Sequence, residues 1–141
     1  NPRVVCFMHV LRASVRRRKR RRRPFRQLAP RCFQNVRTGG DSGKPILVLT
    51  SGANRVDEKR ISEYAGESIS RADADFVRSV TGFAIGGVPP VGHVQLMETY
   101  LDEDFLQYPT IWAAAGTPNA IFELPTAVLQ KITDGKIVRV K

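Results

Sequence analysis

The 141 residues predict an α+β fold, a mixed and largely antiparallel curved sheet with flanking helices. Three observations lead there. Short strand-like and helix-like runs follow one another in mixed order. The apolar runs "TIWAAA" and "AIFEL" flank "GTPN", a spacing that suits a hairpin rather than a helical crossover. "PILVLT" (Pro45–Thr50) is a continuous apolar run bounded by turn residues, the pattern of a strand.

Each later element follows from local chemistry. "RVDEKRISEYAG" predicts a helix that ends at Gly66, with Val56, Ile61 and Tyr64 as its more apolar positions. "DADFVRSV" predicts a short helix behind Asp73, whose carboxylate suits an N-cap. "TGFAIGG" predicts a strand that runs into the Gly/Pro loop "GGVPPVG". "VQLMETYL" alternates partially, as a strand does, and "DEDFLQY" predicts an acidic turn or short helix. "TIWAAA", "GTPN" and "AIFEL" predict strand, turn and strand. "PTAVLQKI" predicts a helix with Pro125 in its first turn, where a missing N–H costs nothing, and "KIVRVK" a last strand. The count comes to about six strands and three or four helices, with the sheet partly closed.

Composition fits one soluble domain, at 42% hydrophobic and 26% charged residues. No apolar run approaches the roughly 18 residues of a membrane span. Cys6 and Cys32 lack metal-ligand spacing and fit a reducing, cytoplasmic compartment. The net charge of +10 divides unevenly. Residues 1–37 hold 13 Lys/Arg and no acid, whereas residues 38–141 hold 10 Lys/Arg and 13 acids, a net −3. "VRRRKRRRRP" (Val15–Pro24) contains eight consecutive basic residues. Such a block repels itself and stays disordered, or serves as a nucleic-acid arm. An out-of-frame origin is a further alternative, because alanine GCC codons read one base over encode arginine or proline. The expected division is an arginine-rich tail over 1–37 and a folded domain over 38–141.

Several motifs are decoys. "GDSGKP" (Gly40–Pro45) resembles the nucleophile segment of trypsin-like serine proteases. That chemistry needs a histidine oriented by a carboxylate, and His9 and His93 lack such a setting. The segment is not a phosphate-binding P-loop, since Thr38 stands where the first glycine belongs. His93 fits a hydrogen-bonded loop histidine better than a general base. Trp112 fits the core. The carboxylates of "DEDF" fit a solvated turn. What remains is a pair of Gly/Pro loops, "GGVPPVG" and "AGTPN", each expected to leave a strand. Together they could wall one pocket whose backbone N–H groups bind an oxyanion or carbonyl; the alternative is two tight surface turns.

Two segments resemble the YbaK/prolyl-tRNA synthetase-associated domain family over residues 38–141: T-G-x-x-x-G-G-x-x-P-x-G at Thr81–Gly92, and A-G-T-P-N at Ala115–Asn119. The resemblance implies a mixed α/β domain around a curved sheet. It implies trans-acting hydrolysis of the ester in mischarged aminoacyl-tRNA, often tRNA for proline carrying cysteine or alanine. Water, or the substrate's own thiol, is then the nucleophile, with no cofactor and no metal. The loop residues Gly86, Gly87, Val88 and Pro90 are expected to act catalytically through their backbone. Thr81, Pro89, Gly92, His93, Gly116, Thr117, Pro118 and Asn119 are expected to bind substrate. The expected partners are the 3′ acceptor end of aminoacyl-tRNA and prolyl-tRNA synthetase, with no membrane.

One departure bears on activity. Family members carry a lysine in a V-K-S-L-like strand, and counting back from Arg37 puts Cys32 in its place. The N-terminal helix and first strands of the family are also expected to be missing, which would leave a sheet edge uncovered. An impaired deacylase is therefore expected. The alternatives are a non-catalytic tRNA or RNA binder that uses the arginine tail, and an inactive truncated family member.

Overall fold

A computed structural model of the chain describes residues 16–17, 30–52, 54–117 and 119–141. The predicted α+β class is correct. Five strands, β4-β2-β3-β5-β8 in spatial order, form one sheet, and β1-β7-β6 form a second. These are β1 (Arg16–Arg17), β2 (Cys32–Gly39), β3 (Pro45–Ser51), β4 (Ile69–Arg71), β5 (Glu98–Asp102), β6 (Thr110–Ala114), β7 (Ala120–Pro125) and β8 (Lys136–Val138). β2 pairs antiparallel with β3 and β4, β6 with β7, and β1 with β7. β5 runs parallel to both β3 and β8. A parallel bridge from Arg31 to Trp112, with the Trp112 amide donating to the Pro30 carbonyl at 3.0 Å, links the start of β2 to β6 of the second sheet.

β3 lies in the middle of the larger sheet and is buried along its whole length, which explains its unbroken apolar run. One core cluster fills one face of that sheet and includes Val36, Leu47, Val77, Val80, Val88, Ile111 and Phe122. The other face packs Ile46, Val48 and Tyr100 against Ile61 of the first helix.

The helices are α1 (Glu58–Ala65), α2 (Ala74–Thr81) and α3 (Thr126–Thr133). Asp57 caps α1 by accepting from the Arg60 amide, and Gly66 ends it at φ 77°. Ile61 is buried there, whereas Tyr64 is exposed, so the helix seats a narrower stripe than its sequence suggests. Asp73 caps α2 as predicted, accepting from the Phe76 amide at 2.7 Å. "DEDFLQY" becomes a 3₁₀ turn over Glu103–Gln107.

Four expectations need correction. "TGFAIGG" is not a strand: Thr81 is the last residue of α2 and Gly82 caps it at φ 81°, so the segment enters the loop from a helix. Trp112 is absent from the core clusters, because Ile111 and Ala113 take the inward positions of β6 and leave Trp112 half-buried. Asp102 of "DEDF" is 1% exposed, and accepts from the Ser51 amide and the Asn54 side chain. The strand β2 runs across the expected 37/38 boundary, with Cys32 and Val36 in the core. Arg16–Arg17 also pair with β7; the rest of the arginine block lies outside the described residues.

"GDSGKP" forms the turn between β2 and β3. Ser42 donates its hydroxyl to Glu67, which also accepts from the Asp41 and Ser42 amides. The serine hydroxyl is thus engaged with a carboxylate acceptor, as a structural turn requires.

Candidate active site

The loop after α2 is tied at both ends. The Gly82 amide donates to Arg78, and the Val94 and Gln95 amides return to the carbonyls of Thr81 and Val80 at 3.3 and 2.9 Å. These bonds satisfy the otherwise unpaired carbonyls of the last helical turn. Thr81 is fully buried, donating its hydroxyl to Val77 at 2.6 Å and accepting from the Phe83 amide at 3.0 Å. Inside the loop, the Gly87 amide donates to Ala84 at 3.0 Å, with Gly86 at φ 88° at the corner. Val88, Pro89 and Pro90 follow, all buried. Gly92 turns the chain at φ 85°.

The second loop meets the first. A Cβ on Gly87 would lie 2.9 Å from Thr117 Cα, 3.0 Å from its carbonyl carbon and 3.1 Å from the Gly116 oxygen. Gly87 is therefore needed because another backbone crosses it. Gly116, at φ 97°, has the Phe83 ring over its own Cβ position at 3.3 Å. Thr117 and Asn119 are exposed beside it, and Pro118 lies outside the described residues. The two Gly/Pro segments, separate in sequence, thus pack backbone on backbone.

A cleft of about 310 Å³ adjoins them. It is lined by Val88 and Ile85 of the loop, Val77 of α2, and Gln34 and Val36 of β2, together with Arg37 and Arg71. Among the described residues, neither the Gly86 amide nor the Val88 amide donates to a protein acceptor. Gln34 was not anticipated from sequence; it is half-buried and donates to the Cys32 carbonyl at 3.1 Å.

Burial shifts two titratable side chains, His93 and Cys32, toward their neutral forms. His93 Nε2 lies 2.6 Å from the Pro89 carbonyl, so the ring spans the loop as its donor. Burial holds its pKa below the ordinary histidine value, against the pull of that hydrogen bond. Cys32 is 1% exposed, and burial pushes its thiol pKa up; the bond with Gln34 opposes this and the Asp102 charge adds to it. The thiol is thus neutral and inert.

The aminoacyl-tRNA editing domain model matches residues 23–132. The chain belongs to the aminoacyl-tRNA editing domain family. Members of this family are hydrolases that deacylate aminoacyl-tRNA. The editing domain is 25% identical over 111 residues to EbsC of Enterococcus faecalis, proposed as a Cys-tRNA(Pro)/Cys-tRNA(Cys) deacylase, a match covering 78% of this chain and 68% of that one. It also matches the crystal structure of a proposed trans-editing enzyme for prolyl-tRNA synthetase, 32% identical with a TM-score of 0.80, over 100% of this chain and 98% of that chain. A solved hypothetical protein, 20% identical with a TM-score of 0.78, covers 95% of this chain and 97% of its own and shares the fold. Among the described residues, no helix is long and apolar enough to cross a membrane.

Proposed function

We propose that the editing domain hydrolyses, in trans, the ester of tRNA(Pro) carrying a small wrong amino acid, and does so weakly. The observation that carries this reading is the packing of the Gly87 loop on the Gly116–Thr117 backbone beside a cleft whose wall mixes apolar side chains with amides and arginines. The arrangement suits the proposed roles of Gly86, Gly87, Val88 and Pro90. The aminoacyl group lies against Val88, Ile85 and Val77. Water adds its oxygen to the ester carbonyl carbon, and the resulting oxyanion accepts from the Gly86 and Val88 amides. The carbon–oxygen bond to the terminal ribose then breaks, and the ribose oxygen takes a proton. With a cysteinyl ester, the substrate thiol replaces water and closes on its own carbonyl. Buried prolines hold the donors in place before the substrate arrives.

Thr81 and His93 support this site rather than touch the reacting atoms, since the Thr81 hydroxyl bonds Val77 and Phe83 and His93 Nε2 bonds the Pro89 carbonyl. Thr117 and Asn119, exposed at the tip of the second loop, are the better placed of the proposed substrate contacts. The weak rate follows from Cys32: loss of one well-placed electrostatic contact costs about 10²–10³ in rate. Prolyl-tRNA synthetase is the proposed source of the mischarged tRNA.

Single-turnover hydrolysis of Ala-tRNA(Pro) and Cys-tRNA(Pro), with Pro-tRNA(Pro) as control, tests this. Slow but selective loss of the wrong amino acid is expected. Tight, salt-dependent tRNA binding with no hydrolysis above the spontaneous rate would instead establish a non-catalytic binder.

A further inference from the structure

The lining of the cleft carries charge that the chemistry above does not use. β2 pairs with β4 only over Arg37–Gly39, so on that side residues 34–36 have no strand partner among the described residues. The cleft wraps around this open edge. Gln34 and Val36 line it from one face of the strand, and Asn35 and Arg37 from the other.

Arg37 and Arg71 stand directly opposite each other in the β2–β4 register, and both line the cleft. Residues in register share a face, and like charges placed so oppose folding. Among the described residues one carboxylate answers them: Glu58 Oε1 lies 3.2 Å from Arg37 Nε. Arg71 is exposed and forms no ion pair with any described residue. Arg37 is 8% exposed and is further fixed by donating to the Val36 carbonyl at 3.1 Å. Burial, then Arg71, disfavour its charge, against the support of Glu58. One guanidinium is thus held by Glu58 and the Val36 carbonyl, the other has no ion pair among the described residues, and both line the cleft.

We propose that Arg37 and Arg71 bind a backbone phosphate of the single-stranded 3′ end of tRNA, beside the part of the cleft that would hold the aminoacyl ester. This rests on the deacylase reading for its ligand. A phosphodiester between the two guanidinium groups would relieve their repulsion and accept from both, as planar guanidinium donors favour. It would also fix the distance between the acceptor end and the loop donors at Gly86 and Val88.

The test uses uncharged tRNA(Pro) and the full chain, with binding measured across a salt series. Arg71→Gln removes an exposed side chain and leaves the Arg37–Glu58 pair. It should weaken binding about tenfold at low salt. The log–log salt dependence should become shallower by about 0.7, the share of one single-strand phosphate. Arg71→Lys should keep the slope and recover much of the affinity. For tRNA trimmed of its single-stranded 3′ end, wild type and Arg71→Gln should bind alike. An unchanged slope in Arg71→Gln overturns the proposal. So does an equal loss on trimmed tRNA, which would make Arg71 part of a general basic surface. Binding of uncharged tRNA does not depend on hydrolysis. A chain with no deacylase activity but an Arg71-dependent slope would refute the catalytic reading alone.

Discussion

Gly87→Ala isolates the contact between the two loops. The added methyl would meet Thr117 Cα at 2.9 Å, its carbonyl carbon at 3.0 Å and the Gly116 oxygen at 3.1 Å. All three are backbone atoms, so no side-chain rotation relieves them, and one loop must move. Overpacking of this kind costs about 1–3 kcal/mol. Against a typical domain stability of about 5–15 kcal/mol, that leaves the fold intact. The effect on rate should be larger in proportion, because misplacing a reacting group by about 1 Å can cost 10²-fold. Gly92→Ala is the control. Its φ of 85° makes a side chain strained, yet a Cβ there meets nothing within 4 Å. It should cost about 1–2 kcal/mol without displacing the second loop. Urea denaturation gives the stabilities, and single-turnover hydrolysis of Ala-tRNA(Pro) gives the rates. A Gly87→Ala protein as stable and as fast as wild type would refute the packing argument. Equal rate losses in the two variants would show that general strain, rather than the loop contact, controls the site.

Two further predictions concern His93 and Cys32. The folded-state pKa of His93 lies below its unfolded value of about 6.5, so the native state favours the neutral ring. The associated stability is present above that unfolded value and lost as pH falls through the folded pKa. His93→Gln, which keeps an N–H donor but does not titrate, should flatten the acid side of the urea-midpoint profile; an unchanged profile would remove His93 as its cause. Cys32→Lys should not restore activity. It would place an ammonium in a site 1% exposed within the apolar cluster, at a cost of several kcal/mol, and a stable, faster variant would contradict this.

Capping residues and continuous apolar runs were the legible part of the fold. Asp73, Gly66 and "PILVLT" each act through neighbours close in sequence, and each fell where expected. "TGFAIGG" misled because apolar Phe83 and Ile85 imitate a strand, while Gly82 has already stopped a helix and turned the chain. Phe83 is apolar for another reason, its contact with Gly116 across the two loops. Strand β2 was hidden by its composition. Arg31, Gln34, Asn35 and Arg37 read as the end of a basic tail, yet seven residue pairs with β3 hold the segment in the sheet. Backbone pairing of that length does not require apolar side chains on both faces. The first strands expected to be missing are thus replaced at this edge by β2, and the obstacle to Cys32→Lys is the burial of position 32.

The motif residues divide by what their polar atoms do. The Thr81 hydroxyl closes the end of α2, and the His93 ring holds the Pro89 carbonyl. Gly87 and Gly116 admit a neighbouring backbone and a ring. None of these four needs to touch substrate for the motif to matter. A site that stabilises an oxyanion through main-chain amides has no catalytic side chain to preserve, so its sequence signature must lie in the residues that fix the backbone. This accounts for glycines beside prolines in "GGVPPVG": the glycines permit a conformation and a contact that other residues forbid, and the prolines restrict the alternatives. Under the proposed function, Cys32 is the departure with the largest expected cost in rate. A preorganised backbone supplies partial charges only, and a neutral thiol adds no full charge to them.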